Sequence, residues 1–176
     1  MHIDTLKFYK YTPQVKPEYA GKFCNVPYTT LTIDNDGDVL LCGCQHHMPY
    51  TIGNIYKNTL QDIWLGETAA LVRQSVDRGE FTYCNTSCNR LRSVKPKPIV
   101  LPTLANFPSI IRVDMDMSCN LKCPSCRERI IIEKHSDKIE QQNKIYAELR
   151  QHALTNPNTE LIISPINSGE IFASHG

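Results

Sequence analysis

The sequence contains no long apolar run. Nowhere do about 18 apolar residues follow one another, so no membrane-spanning helix is expected. The opening segment MHIDTLKFYKYTPQ lacks the apolar core of a signal peptide, which points to a cytoplasmic chain. Neither sign of charge is in excess: 19 basic against 18 acidic residues leave a formal net charge of +1, so a nucleic-acid partner is not expected, nor a membrane one. There is no internal repeat and no low-complexity tract. With 41% hydrophobic and 21% charged residues over 176 positions, the composition is that of an ordinary globular protein of one domain or two small ones. Cysteine is the exception. Eight cysteines fall short of a disulfide scaffold, which needs about 8–10%. Thiols in a reducing cytosol stay reduced, so their expected use is metal binding or catalysis.

The cysteines form two groups. Cys24, Cys42, Cys44, Cys84 and Cys88 lie in the first half, Cys119, Cys123 and Cys126 in the second. Between them runs SVKPKPIVLPTLANFP, whose prolines favour extended backbone and whose Lys95 and Lys97 favour solvent, the pattern of a linker.

In the second half, SIIRVDMDMSC alternates: Ile111, Val113, Met115 and Met117 point one way, Arg112, Asp114 and Asp116 the other. This period of two predicts a half-buried strand running into Cys119. SDKIEQQNKIYAELRQHALTN then places Ile139, Tyr146, Leu149 and Ala153 at helical spacing, with Ile145 beside them, and Asp137 with Glu140 suits a capping box. After the NPN break, Leu161 to Ser164 reads as a second strand ending in a glycine turn. Strand, helix and strand make one βαβ unit with parallel strands, and the cysteine loop falls at the C-terminal end of the first, where α/β folds place their chemistry. A closed zinc site needs four ligands. Three thiolates at C-x3-C-x2-C spacing suit either a structural zinc loop that borrows its fourth ligand from elsewhere, or a four-iron cluster bound through three irons with the fourth open to a substrate.

The first half predicts a hairpin, Thr30–Asp34 and Val39–Cys42, around the turn DNDGD, with Asn35, Asp36 and Gly37 supplying positive φ. Thr59 is the expected N-cap of a helix carrying Leu60, Ile63 and Trp64, and a further helix carries Leu71, Val72 and Val76 up to Gly79. Trp64, Phe81 and Tyr83 read as core. The hairpin brings Cys24 and Cys42 toward a common site, and with the C-x3-C pair Cys84 and Cys88 they complete a four-thiolate set for zinc or for an iron–sulfur cluster. His46 and His47 follow Cys44 and are further metal-ligand types, or simply exposed loop residues.

CNLKCPSC resembles the signature of radical S-adenosylmethionine (radical SAM) enzymes. The resemblance implies that Cys119, Cys123 and Cys126 hold a 4Fe-4S cluster whose open iron chelates S-adenosyl-L-methionine. NSGE is similar to that family's Gly-Gly-Glu motif, which implies that Ser168, Gly169 and Glu170 help seat this cosubstrate; Ser168 stands where the first glycine would be. The stretch from Cys24 to Cys88, with Gly37, Cys42, IGNIYKNTLQDIW and the closing cysteine pair, resembles the SPASM/twitch domains that accompany such enzymes and hold an auxiliary 4Fe-4S cluster. Five cysteines suit one auxiliary cluster; the glycine spacing selects Cys42 over Cys44. In that group the domain follows the barrel, whereas here it precedes it.

The expected fold is α/β: a small α+β twitch-like metal domain at 1–94, a proline-rich linker at 95–108, and the first βαβ unit of a partial radical SAM (β/α) barrel at 109–176. The resemblance implies an oxidoreductase-type function: reductive cleavage of S-adenosylmethionine to a 5′-deoxyadenosyl radical for hydrogen abstraction, with two 4Fe-4S clusters, a flavodoxin or ferredoxin as electron donor, and a peptide or protein as substrate. The stretch from Ser109 has room for two strands and one helix, fewer than a closed barrel needs. The expectation is therefore an enzyme of this class or a fragment of one. The alternative is a non-catalytic metal-binding interaction module, holding zinc or an iron–sulfur cluster.

Overall fold

The computed structural model describes residues 12–34, 36–43, 47–93, 95–98, 100–113 and 136–163. In chain order the elements are β1 (Lys22–Phe23), α1 (Val26–Thr29), β2 (Thr30–Ile33), β3 (Asp38–Leu40), β4 (Gly53–Asn54), α2 (Leu60–Leu65), α3 (Glu67–Asp77), α4 (Asn89–Arg92), β5 (Lys95–Pro96), β6 (Ile110–Val113), α5 (Ser136–Thr155) and β7 (Glu160–Ile163). Five strands form one sheet in the order β4-β3-β2-β6-β7, open among the described residues, and β1 pairs with β5 in a separate ribbon. The fold is mixed α/β.

The expected hairpin is present. β2 and β3 pair antiparallel, Thr32 opposite Leu40. Gly37 takes φ 75 and the amides of Asp36 and Asp38 both donate to Asp34 Oδ1 at 2.9 Å, so a carboxylate organises the turn. Asp36 stays out of the positive-φ region predicted for it; Asn35 lies outside the described residues. Gly37 is also needed for space, because a Cβ there would come within 2.4 Å of the Tyr56 ring.

The βαβ unit is present as well. β6 and β7 run parallel with Ile111 opposite Leu161. Alternation along β6 buries Ile111 and Val113. α5 spans 20 residues and starts at Ser136, one residue ahead of the expected cap Asp137; Glu140 pairs with Lys144 at 2.9 Å on the exposed side. Its buried stripe is Gln142, Ile145 and Leu149, so Ile145 lies at the centre of the packed face, with Tyr146 partly buried against it.

β2 and β6 are hydrogen-bonded neighbours in parallel, Thr30 opposite Ile110 through Ile33 opposite Val113. The strand of the first half and the βαβ unit of the second therefore share one sheet. Leu31, Ile33, Val39, Ile111 and Val113 face a common core with Trp64, Val72 and Leu149. Between residues 95 and 108 the chain is held at several points among the described residues. β5 pairs with β1, Trp64 Nε1 donates to the Ala105 carbonyl at 2.9 Å, and Phe107 stacks on His152 of α5 with ring centroids 3.4 Å apart.

Thr59 caps α2 as its sequence predicts, its hydroxyl accepting from the Asp62 amide at 3.2 Å. The next helix departs from expectation. α3 buries Ala69, Val72, Arg73, Ser75 and Val76, while Leu71 is only half-buried. Arg73, 5% exposed, stacks over the Trp64 ring at 4.2 Å and donates to two carbonyls, Pro27 O at 2.9 Å and Trp64 O at 2.8 Å. The second of these is an orphan carbonyl of the last turn of α2, where a cation is well placed. Burial lowers the Arg73 pKa to about 10, which leaves it charged at neutral pH. Replacing it as Arg73→Met keeps the stem but strands both acceptors, so the chain is expected to lose roughly 2–4 kcal/mol. A chemical-denaturation midpoint equal to that of the parent chain would show the tie to be dispensable.

Candidate metal centre

Three separate stretches deliver the four described cysteines of the first half. Cys24 follows directly on β1 and precedes α1. Cys42 lies two residues past β3, where the chain turns over the polar side of the sheet: its carbonyl accepts from Thr32 Oγ1 at 2.6 Å, and a Cβ at the adjacent Gly43 would sit 3.6 Å from Arg112 Nε. The third stretch runs from Phe81 to Cys88. After Gly79 at φ 71, Phe81 holds φ 48 with its ring fully buried. A bulky residue in the left-handed region is uncommon, and burial of the ring is what holds it there. The chain then turns tightly, the Cys84 amide donating to Phe81 O at 3.0 Å and the Cys88 amide to Asn85 O at 3.1 Å. The Asn85 amide donates to the carbonyl of His47 at 2.7 Å, which fastens this loop to the segment beyond Cys42.

Cys88 is buried and stands at the N-cap position of α4, yet its side chain makes no capping bond, so the thiol is not used by the helix. Cys24, Cys84 and Cys88 pack with Phe23, Val76, Phe81 and Leu91 in a second apolar cluster, while Cys42 borders the main core. The site lies on the seam between the two. None of the four is in a disulfide. Burial pushes the Cys84 thiol far above its ordinary range, and the thiols of Cys42, Cys24 and Cys88 push in the same direction, while Lys16 opposes them. Burial also raises Cys24, with Cys88 adding to it and the Val26 amide and Arg90 working against it.

The four thiols thus share one neighbourhood. They do not close on a point, since among the described residues no three His, Cys, Asp or Glu side chains are gathered tightly enough to hold a metal ion. Around a single zinc, bonds of about 2.3 Å at tetrahedral angles put the sulfurs roughly 3.8 Å apart. A four-iron cluster takes each thiolate on a different iron and so needs a wider frame. Four thiols are a suitable donor set for either.

Cys44 and His46 lie outside the described residues, as do Cys119, Cys123, Cys126, Ser168, Gly169 and Glu170; His47 is half-buried. The strands that lead to the second cysteine group and to NSGE are described. β6 and β7 are adjacent and parallel, so the chain leaves both at the same end of the sheet. Lys16, which sequence reasoning passed over, reaches the loop of Cys84 from upstream of every cysteine. It sits in a segment with no periodicity to mark it.

A model of SPASM, an iron–sulfur cluster-binding domain, matches residues 24–89. An SPASM-type iron–sulfur-binding domain therefore occupies this part of the chain, and all four described cysteines fall within it. No curated protein and no solved structure matches the chain.

Raised thiol pKa values fix the sign of a pH dependence in the metal-free chain. The folded form retains protons that the unfolded chain releases above the ordinary thiol value of 9.0. The contribution is whole below that value and declines as pH rises past it. The denaturation midpoint of the metal-free chain is expected to fall above about pH 9, and to fall less steeply in Cys84→Ser. A parallel decline in the two chains would mean that Cys84 does not retain its proton on folding.

Proposed function

We propose that the chain is an iron–sulfur protein in which Cys24, Cys42, Cys84 and Cys88 hold one 4Fe-4S cluster, and that binding of the cluster is coupled to folding of the loops around it. The observation that supports this most is Cys84: a half-buried thiol on which Cys88 of its own loop and Cys24 and Cys42 of two other stretches bear at once. The match to an iron–sulfur domain favours iron over zinc. In this reading the chain is a metal-binding module, and its role requires no chemistry on a substrate. Anaerobic reconstitution is expected to load about four irons and four sulfides at this site, and Cys84→Ser to lose them. Stoichiometric zinc without iron, in protein made under anaerobic and iron-replete conditions, would overturn the assignment.

A second reading adds a catalytic cluster. It is supported by the parallel β6-α5-β7 unit, because in sequence the C-x3-C-x2-C motif falls between β6 and α5, the kind of connection on which α/β enzymes carry their chemistry. Residues 109–176 then form part of a radical SAM barrel, with Cys119, Cys123 and Cys126 holding a second 4Fe-4S cluster and Ser168 to Glu170 helping to seat S-adenosylmethionine. Residues 1–94 supply the auxiliary cluster, joined to the barrel through 95–108. The electron donor is a flavodoxin or ferredoxin, the substrate a peptide or protein, and the compartment the cytoplasm. When bound, the cluster would supply the electron for reductive cleavage of the cosubstrate. About eight irons per chain are expected, with a paramagnetic resonance signal of the reduced protein that changes on adding S-adenosylmethionine. Cys123→Ala should abolish the change and leave the first cluster's iron in place. An unchanged wild-type signal would leave the metal-binding module as the better description.

A further inference from the structure

Lys16 is a charged residue with almost no access to solvent, 2% exposed. Its ammonium donates to three carbonyls: Gln14 at 3.0 Å, Phe81 at 3.2 Å and Thr82 at 3.4 Å. The backbone beside it is also fixed, the Lys16 amide donating to Glu80 O at 2.9 Å and the Gln14 amide to Thr82 O at 3.4 Å. Residues 14–16 therefore lie along residues 80–82, the segment that turns into the Cys84 loop. The Phe81 carbonyl joins the two directly, because it accepts from both the Lys16 ammonium and the Cys84 amide, the latter at 3.0 Å. Carrying an ammonium out of water costs several kcal/mol unless nearby negative charge offsets it. Carbonyl dipoles supply part of that offset. The group of thiols beside it supplies negative charge once they are deprotonated by a metal.

We infer that the Lys16 ammonium is the buried counter-charge of the four-cysteine centre, a positioning residue that favours the reduced state of the cluster bound there. This rests on the iron–sulfur reading given above. A cluster held by four thiolates is a net anion, and it takes up one further negative charge when a reductant such as dithionite delivers an electron, with no bond made or broken. A fixed cation in a dry setting stabilises the more negative state more, so it raises the reduction potential. Arg90, a cation that bears on Cys24, is exposed, and solvent and salt screen it. Lys16 is shielded from both. It also lies outside residues 24–89, so the iron–sulfur domain draws its counter-charge from chain that precedes it.

The test is a dithionite titration of the anaerobically reconstituted full chain, followed by absorbance and paramagnetic resonance. Lys16→Gln keeps a donor for the carbonyls and removes the charge; Lys16→Met removes both; Lys16→Arg restores the charge. In the two neutral variants the ratio of reduced to oxidised cluster at a fixed potential is expected to fall about tenfold, which is about 59 mV for a one-electron couple, with Lys16→Arg close to wild type. Loss of iron from both neutral variants with retention in Lys16→Arg, all three showing wild-type circular dichroism, supports the same conclusion, since the charge is then needed to hold the anion. Neutral variants that load iron at an unchanged potential overturn the inference and leave the iron–sulfur reading intact. Loss of fold in all three, Lys16→Arg included, makes the residue purely structural and also overturns it. If the wild-type chain itself takes up no iron, the iron–sulfur reading fails and the inference falls with it.

Discussion

The parallel pairing of β2 with β6 is the interaction on which the rest of the described structure depends. β2 is covered on both sides, and every one of its four residues is buried. Its apolar side faces the core shared with Trp64, Val72 and Leu149, and its polar side, Thr30 and Thr32, lies under the segment that carries Cys42. A lone hairpin in water is marginal at best; three or more strands with a packed face are stable. The cysteine-bearing hairpin gains that support from the βαβ unit. In return, β6 gains a second neighbour. The hairpin that leads to Cys42 and the strand end that precedes the second cysteine group are therefore joined through the same set of backbone hydrogen bonds.

Two buried cations then fasten the first half. Arg73 and Lys16 each donate to main-chain carbonyls, Arg73 to those of α1 and of the end of α2, Lys16 to those of the turn that leads into the Cys84 loop. Their surroundings differ. Arg73 lies flat on an aromatic ring, a setting that suits a planar, weakly hydrated guanidinium. Lys16 carries a compact point charge and sits beside thiols. The first is a structural tie between α1, α2 and α3, and the second, in the inference drawn above, offsets the negative charge of a thiolate-bound cluster. A third link of this kind, the Tyr28 hydroxyl donating to Asp77 Oδ1 at 2.5 Å, joins α1 to the end of α3.

What local spacing encodes was legible in the sequence. The β2–β3 hairpin, the Thr59 cap, the long helix α5 and the strand β7 each announce themselves within a short window, through alternation, helical period or turn chemistry. The cysteine spacing proposed Cys24, Cys42, Cys84 and Cys88 as one set; in the fold the other three bear on Cys84, while Cys44 lies outside the described residues. Three things were not legible. The β2–β6 pair has no local signature, because both strands read as alternating segments whichever neighbour they take. Nothing in the local spacing singles out Arg73, yet the buried face of α3 includes it, since Trp64 and two carbonyls wait there. Lys16 stood alone between Val15 and Pro17, and only the return of the chain at Phe81 gives it surroundings. Residues 95–108 read as an extended connection. Pro96 does lie in a strand, but Ala105 and Phe107 find partners in Trp64 and His152.

The register Thr30 to Ile110 also sets a timetable for synthesis. At about 5–20 residues per second a ribosome takes roughly 4–16 s to travel from the one strand to the other. Throughout that interval the inner edge of β2 is complete but has no neighbour, and an unpaired edge is a template for any other nascent strand. All four described cysteines of the metal centre have by then been made, because Cys88 precedes β6. A cofactor inserted while the chain is still growing would order the first half before its sheet is finished. Late insertion would leave the loops around Cys84 to wait for β6. The length of chain between the two strands thus decides how long that edge stays bare.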